Sequence, residues 1–187
     1  MDTKASTDSF ETSWDMLRLS AWRSGDGTVI DDLYVCDGTG TTNNDFLGNI
    51  YVEGIDPNGD GNSTQLTPST GSNWQNVDES NPSDGDTTYN TADANSETDL
   101  YTMTDLSETG DILGLQAHVE VRVTSGNPRK IRIPVRQSTT TSEGSDLTIA
   151  GDDYGARRRI LETNPHTASA WTKSEIDSVE VGIKRQS

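Results

Sequence analysis

The sequence predicts an all-β protein, an antiparallel β-sandwich or jelly roll with long polar loops and at most one short helix. Three observations predict it. Leu113, Leu115, Ala117, Val119, Val121 and Val123 alternate with Gly114, Gln116, His118, Glu120 and Arg122, which places six apolar side chains on one face of a strand. Short β-branched and aromatic runs flank Gly-rich reversals, the pattern of hairpins. No long helix is read anywhere along the chain.

From the N-terminus, residues 1–13 are polar and read as an extended arm that a partner would order. Met16 to Trp22, the turn Ser24-Gly25-Asp26-Gly27 and Val29 to Cys36 read as a β-hairpin inside an N-terminal region of residues 14–55, in which Gly48 to Gly54 is a second strand candidate. Residues 56–187 are the predicted sandwich domain. Its first part, Asp56 to Ser96, is poor in apolar residues and rich in turn formers, a long loop system pinned by Leu66, Trp74, Val77 and Tyr89. After the strand from Leu113 to Val123, Ser125-Gly126-Asn127-Pro128 makes a turn, and Ile131, Ile133 and Val135 mark a returning strand. Pro134 lacks an N–H, so that strand lies near an edge or bulges there. Tyr154 to Thr163 is the next strand. Thr172-Lys173-Ser174-Glu175 has the spacing of a capping box and starts one helical turn, before Val179, Val181 and Ile183 alternate in a last strand.

Charge is sorted along the chain. The net charge is −17, and from Ser24 to Val121 there is no Lys or Arg among 19 Asp and Glu, whereas eleven of the fourteen basic residues follow Val121. So acidic a surface repels phosphate backbones and anionic lipid, which disfavours nucleic-acid and membrane partners. It favours assembly in which the basic segment meets an acidic neighbour. Hydrophobic content is only 29% and mean hydropathy is −0.73, the composition of short strands on long loops or of a protomer that depends on its neighbours. Ten Arg to four Lys suit a salt-rich medium, and the acidity equally suits the surface of a virus particle. No apolar run approaches a membrane span, and the first ten residues lack the features of a secretory signal. Cys36 is the single cysteine, which excludes an intrachain disulfide; its apolar neighbours mark it as a buried thiol.

Few motifs carry chemistry. Asp56-Pro57-Asn58-Gly59-Asp60-Gly61-Asn62 opens like a calcium loop, with oxygen ligands Asp56, Asn58 and Asp60 at positions 1, 3 and 5 and Gly at 6, but position 12 is Thr67 where a bidentate Glu belongs. The same residues are common turn formers. A structural calcium there is the one cofactor considered, and none is otherwise expected. Asp84-Gly85-Asp86 is a weaker echo. His118 and His166 stand 48 residues apart with no zinc spacing, and no nucleophile elbow, phosphate loop or dinucleotide fingerprint occurs. Carboxylate pairs are too frequent to single out a glycosidase pair. The chain therefore reads as no enzyme. Arg157-Arg158-Arg159 is the densest positive cluster; on a strand, Arg157 and Arg159 share one face and Arg158 takes the other. With Arg132 and Arg136 these form the expected interface set, pairing with carboxylates of the acidic half or of a neighbour. Trp14, Trp22, Trp74 and Trp171 are dispersed, which suits packing better than a sugar-stacking face.

The run from Ile30 through Asp31-Asp32-Leu33-Tyr34-Val35-Cys36-Asp37-Gly38 to Gly40, continued by Asn44-Asp45-Phe46-Leu47-Gly48-Asn49, resembles a recurrent element of tailed-virus and prophage structural proteins. Trp74 to Val77-Asp78-Glu79, Gly85-Asp86-Thr87-Thr88-Tyr89, Asp99-Leu100-Tyr101, Glu162-Thr163-Asn164-Pro165 and Ala170-Trp171-Thr172 follow in the same order. The resemblance covers about residues 14–184. It implies a virion component on the outside of head or tail, a tail-associated or capsid-decorating subunit, and it carries over no catalytic residue. Members often begin with a lectin-like sandwich, of which only the last hairpin corresponds to residues 14–36 here. Other virion proteins are the partners this implies, and the low hydrophobic content adds further copies of the chain, most simply in a trimer. A receptor- or glycan-binding module at a tail or turret tip is the alternative, and a polysaccharide-degrading enzyme a third class.

The charge map has a direct check. Trypsin acting on the denatured protein should release Ser24–Arg122 as one uncut peptide, read by mass spectrometry, and any tryptic cut inside it would contradict the map.

Overall fold

The apolar alternations at Leu113–Val123, Ile131–Val135 and Val179–Ile183 become strands, and the strands of the described residues group into antiparallel sheets. The computed structural model describes residues 34–35, 39–79, 83–124 and 126–187. The expected arm 1–13, nearly all of the hairpin 14–36, Trp14, Trp22 and the thiol of Cys36 lie outside them. In chain order the strands are β1 (Pro57–Thr64), β2 (Thr67–Pro68), β3 (Asn90–Thr91), β4 (Thr98–Met103), β5 (Leu115–Val121), β6 (Arg129–Arg132), β7 (Val135–Gln137), β8 (Thr140–Ser142), β9 (Leu147–Ile149), β10 (Gly155–Leu161) and β11 (Val179–Arg185). A 3-10 turn (Asn73–Asn76) and the short helix α1 (Lys173–Ile176) complete the set.

The main sheet runs β1-β4-β11-β6-β9, with β7 paired to β11 and to β8. β6 and β7 keep one register along β11, from Arg185 opposite Ile131 to Val179 opposite Gln137. The ladder is interrupted at Ile133-Pro134, where Pro134 has no N–H to give, yet its carbonyl accepts from the Gly182 N–H at 3.1 Å. On the other side, the pairing shifts by one residue between β6–β9 and β7–β8. Pro134 thus sits inside the sheet beside a register break, not at an edge. The second sheet is a ribbon in which β5 pairs with β10 without a slip, from Leu115 opposite Leu161 to Val121 opposite Gly155. β2 and β3 make a third, minimal pair.

The predicted return of the chain after Val123 is different in kind. β5 does not pair with β6; its partner is β10, and β6 joins the main sheet. Two connections, β5 to β6 and β9 to β10, therefore pass between the sheets side by side, tied by the Val123 N–H to the Gly151 carbonyl at 2.9 Å. Val123, Ile131 and Ile149 fill the space they enclose. The larger core lies between ribbon and sheet, where Ala117 and Leu161 meet Ile133, Val135, Val179 and Val181, closed at one end by Trp171 and Ile176. α1 forms where expected: Thr172 is its N-cap, and the Glu175 carboxylate takes the Thr172 N–H at 2.8 Å, so the helix delivers Ile176 to the core.

Two expectations are corrected. Gly48–Gly54 is not a strand; its neighbourhood is held by side chains, with the Asn43 amide on the Leu113 carbonyl at 2.6 Å and the Glu53 carboxylate accepting the Ser107 and Glu108 N–H groups at 2.7 and 3.1 Å. Conversely, Pro57–Thr64, expected in a loop, is the edge strand β1 although it holds no large apolar residue. Tertiary contact overrides propensity there. A Cβ on Gly61 would stand 2.7 Å from the Leu100 carbonyl oxygen and 2.9 Å from Glu180 Oε2. The small residue lets the Glu180 carboxylate reach past β4 and accept the Asn62 N–H at 2.9 Å.

The segment between β1 and β4 is organised by one side chain. Asp99 on β4 is fully buried, and its Oδ1 accepts the Gln65 and Leu66 N–H groups at 2.6 and 2.9 Å. Its Oδ2 accepts the Asn73 amide at 2.6 Å and the Tyr101 hydroxyl at 2.9 Å. Asn90 extends the network, donating to the Tyr101 hydroxyl and to the Asn73 carbonyl. Burial and the neighbouring Asp99 charge hold the Tyr101 phenol well above its ordinary range. Four donors replace the lost hydration of the carboxylate, and no cation is required.

Asp99→Ala should cost about 3 kcal/mol or more, because four buried donors lose their acceptor, whereas Tyr101→Phe should cost only about 1 kcal/mol. Urea unfolding monitored by tryptophan fluorescence checks both, and a D99A midpoint equal to the parent's would refute the assignment.

Candidate functional site

The residues singled out for chemistry are dispersed over the fold. Asp56, Asn58 and Asp60 follow the course of an edge strand, where a calcium loop would have to curl around its ion. The side chains of Asn58 and Asp60 are engaged within the fold, Asn58 Oδ1 accepting from Thr102 Oγ1 at 2.8 Å and Asp60 Oδ1 accepting the Trp74 N–H at 3.1 Å, and the backbone N–H of Asp56 donates to Thr104 Oγ1 at 3.1 Å. Among the described residues no group of three or more His, Cys, Asp or Glu is placed to hold a metal.

The arginine set splits in two. Arg157 and Arg159 share the inner face of β10, as the alternation requires, but among the described residues neither pairs with a carboxylate. Arg157 donates to the Thr148 carbonyl from Nε and Nη2 at 3.1 and 3.0 Å. Arg159 crosses from ribbon to sheet and donates to the Ile133 and Ser142 carbonyls at 2.8 and 2.6 Å, where the ladder is interrupted. A break in a β-ladder exposes carbonyl oxygens, and a guanidinium fork satisfies several at once. Burial lowers the Arg159 pKa. Arg158 lies on the exposed opposite face, across from His118.

Arg132 and Arg136 do find carboxylates, all within the basic half of the same chain. Arg136 pairs with Glu180 at 3.1 Å. Arg132 lies between Asp146 at 2.7 Å and Glu143 at 2.9 Å; Lys184 also binds Glu143, and Lys130 stands 3.7 Å from Asp146. This network lies on the face of the main sheet away from the core. Lys184 and Arg132 hold the Glu143 carboxyl below its ordinary range, and Arg132 and Lys130 do the same for Asp146.

A second polar cluster forms where both intersheet connections meet the ribbon. Arg122 pairs with Asp86 at 2.7 Å and stacks over the Tyr154 ring at 4.9 Å, and the Tyr154 hydroxyl donates to Asp86 Oδ1 at 3.0 Å. Burial and the Asp86 hydrogen bond raise the Tyr154 pKa. Neighbouring residues Val123, Thr124, Gly126, Gly151 and Asp152 line an open cleft of about 260 Å³. Trp171 is a core residue whose indole N–H donates to the Leu161 carbonyl at 3.1 Å, and Trp74 is half-buried in the 3-10 turn. His166 Nδ1 lies 2.6 Å from Thr140 Oγ1, far along the chain from His118 on the ribbon.

Comparison of the chain with protein-family models, curated proteins and solved structures returned no match. No sequence motif singles out Asp99, Tyr154 or Arg122 as a site residue; an isolated Asp between Thr98 and Leu100 carries no local sign that loop N–H groups will converge on it.

The charge network predicts an acid response. Both Glu143 and Asp146 have folded pKa values below their unfolded ones, so the stability they add is present above the unfolded values and lost as pH falls through the folded ones. Between about pH 5 and pH 3 the melting temperature should fall, and fall less steeply in Glu143→Gln, as read by calorimetry across that range.

Proposed function

We propose that this chain is a non-enzymatic structural subunit of a tailed-virus particle, exposed on head or tail, that acts through assembly with further copies and with other virion proteins. The observation that carries the reading is where its polar chemistry is used. Asp99, Glu180, Glu143 and Arg159 each close a contact inside the fold, while Phe46, Tyr51 and Ile160 stand at the surface, where exposed large apolar groups suit protein partners. The resemblance of the ordered motifs to those of tailed-virus structural proteins supports the same reading.

The electrostatic part of the mechanism is narrower than the charge map suggests. Arg122, Lys130, Arg132, Arg136, Lys173 and Lys184, six of the eleven Lys and Arg after Val121, pair with carboxylates of their own chain before any neighbour arrives. The acidic half keeps its excess, which supports a solvent-facing exterior with no affinity for nucleic acid. A receptor or glycan role has one specific support: the Arg122-backed Tyr154 ring beside the cleft at Val123 and Asp152, an aromatic face next to acceptors for sugar hydroxyls.

Labelled antibody should decorate intact purified particles at regular positions on head or tail, and particles without label would remove the virion reading. A glycan array run with and without calcium should stay blank for a purely structural subunit; binding that Tyr154→Ala abolishes would favour the second reading.

A further inference from the structure

Two surface features are left over by the fold, and they complement each other. The first is the stretch Asp45 to Tyr51, where Phe46 is 82% and Tyr51 64% exposed. No Lys or Arg lies anywhere between Ser24 and Val121, so the fixed charges around this stretch in sequence are all acidic. The second is the outer face of the ribbon. Ile160 on β10 is 69% exposed, and Arg158 two residues earlier shares that face, with Gln116 and His118 opposite on β5. Arg158 is the member of the arginine triplet whose guanidinium has no carboxylate or carbonyl partner among the described residues. One feature is apolar and acidic, the other apolar and basic. Both belong to the compact unit Val35–Ser187, and within one chain neither covers the other, since Phe46, Tyr51 and Ile160 all remain exposed.

We propose that the ribbon of one copy receives the Asp45–Tyr51 stretch of a second copy, with Phe46 and Tyr51 packed on Ile160 and Asp45 facing Arg158. This rests on the assembly reading above and names its contact. The interface joins two different patches, so it is head-to-tail and closes into a ring or continues as a filament according to the rotation per copy. Charge complementarity selects the partner: an unpaired guanidinium beside an exposed Ile is served by an acidic apolar segment, and self-pairing of β10 would set arginine against arginine. Aromatic anchors flanked by a charge pair are the composition that dominates contact energies at protein interfaces.

The test is the mass in solution of the full chain, by light scattering over a concentration series, with melting temperatures to confirm folding. The parent should self-associate. Phe46→Ser and Ile160→Ser should each weaken association at least about tenfold, as for truncation of a central interface side chain. Arg158→Asp should weaken it as well, and adding Asp45→Arg should restore it. All of these positions are exposed, so the variants should melt with the parent. If the parent assembles and every variant assembles equally, the docking contact is wrong while assembly stands. If the parent is monomeric at every concentration, the docking contact is wrong and self-assembly falls with it, and placement in the particle is then judged by the antibody labelling alone.

Discussion

The carboxylate of Asp99 is the constraint on which the first half of the described structure depends. A charge with no exposure is tolerated only when hydrogen bonds replace its hydration, and here those bonds come from the loop residues Gln65, Leu66 and Asn73 together with Tyr101. The loop is thereby ordered from inside. A segment with few apolar side chains cannot offset its conformational entropy by burial, so polar convergence on one buried acceptor does what a hydrophobic core does elsewhere. Close packing at β11 completes the arrangement: a Cβ on Gly182 would lie 1.9 Å from the Asp99 carbonyl oxygen, so β4 and β11 approach as they do only because residue 182 has no side chain.

The same economy governs the second half. The ladder interruption at Pro134 leaves carbonyls facing the ribbon, and Arg159 satisfies two of them from the opposite layer. Glu180 pairs with Arg136 through one oxygen and holds β1 through the other. Charges that look in sequence like material for intermolecular docking are thus spent joining strand to strand and sheet to ribbon. What remains at the surface is an acidic excess, a few exposed apolar side chains and the guanidinium of Arg158.

Much of the fold was legible in sequence because it is written locally. Alternation over Leu113–Val123 and Val179–Ile183, and the Thr172–Glu175 capping box, concern residues within one strand or one helical turn of each other, and each element appears where its pattern lies. The facing of Arg157 and Arg159 away from Arg158 follows from strand geometry in the same way. The candidate site was less legible. Arg132 and Arg136 are expected at an interface with the acidic half or a neighbour, but the carboxylates they meet belong to β11 and to the residues between β8 and β9 of the same chain, which no spacing rule connects.

By itself the sequence determined the fold class, the strands with period-two alternation, the capped helical turn and an acid-rich surface, since each depends on short-range pattern or composition. Only the tertiary structure decided that β5 pairs with β10 and not with β6, that Pro57–Thr64 is a strand and Gly48–Gly54 is not, and that Asp99 and Arg159 are structural anchors. Ladder partners, buried acceptors and the empty space beside a glycine are supplied by residues distant in the chain, so they exist only after the layers have packed.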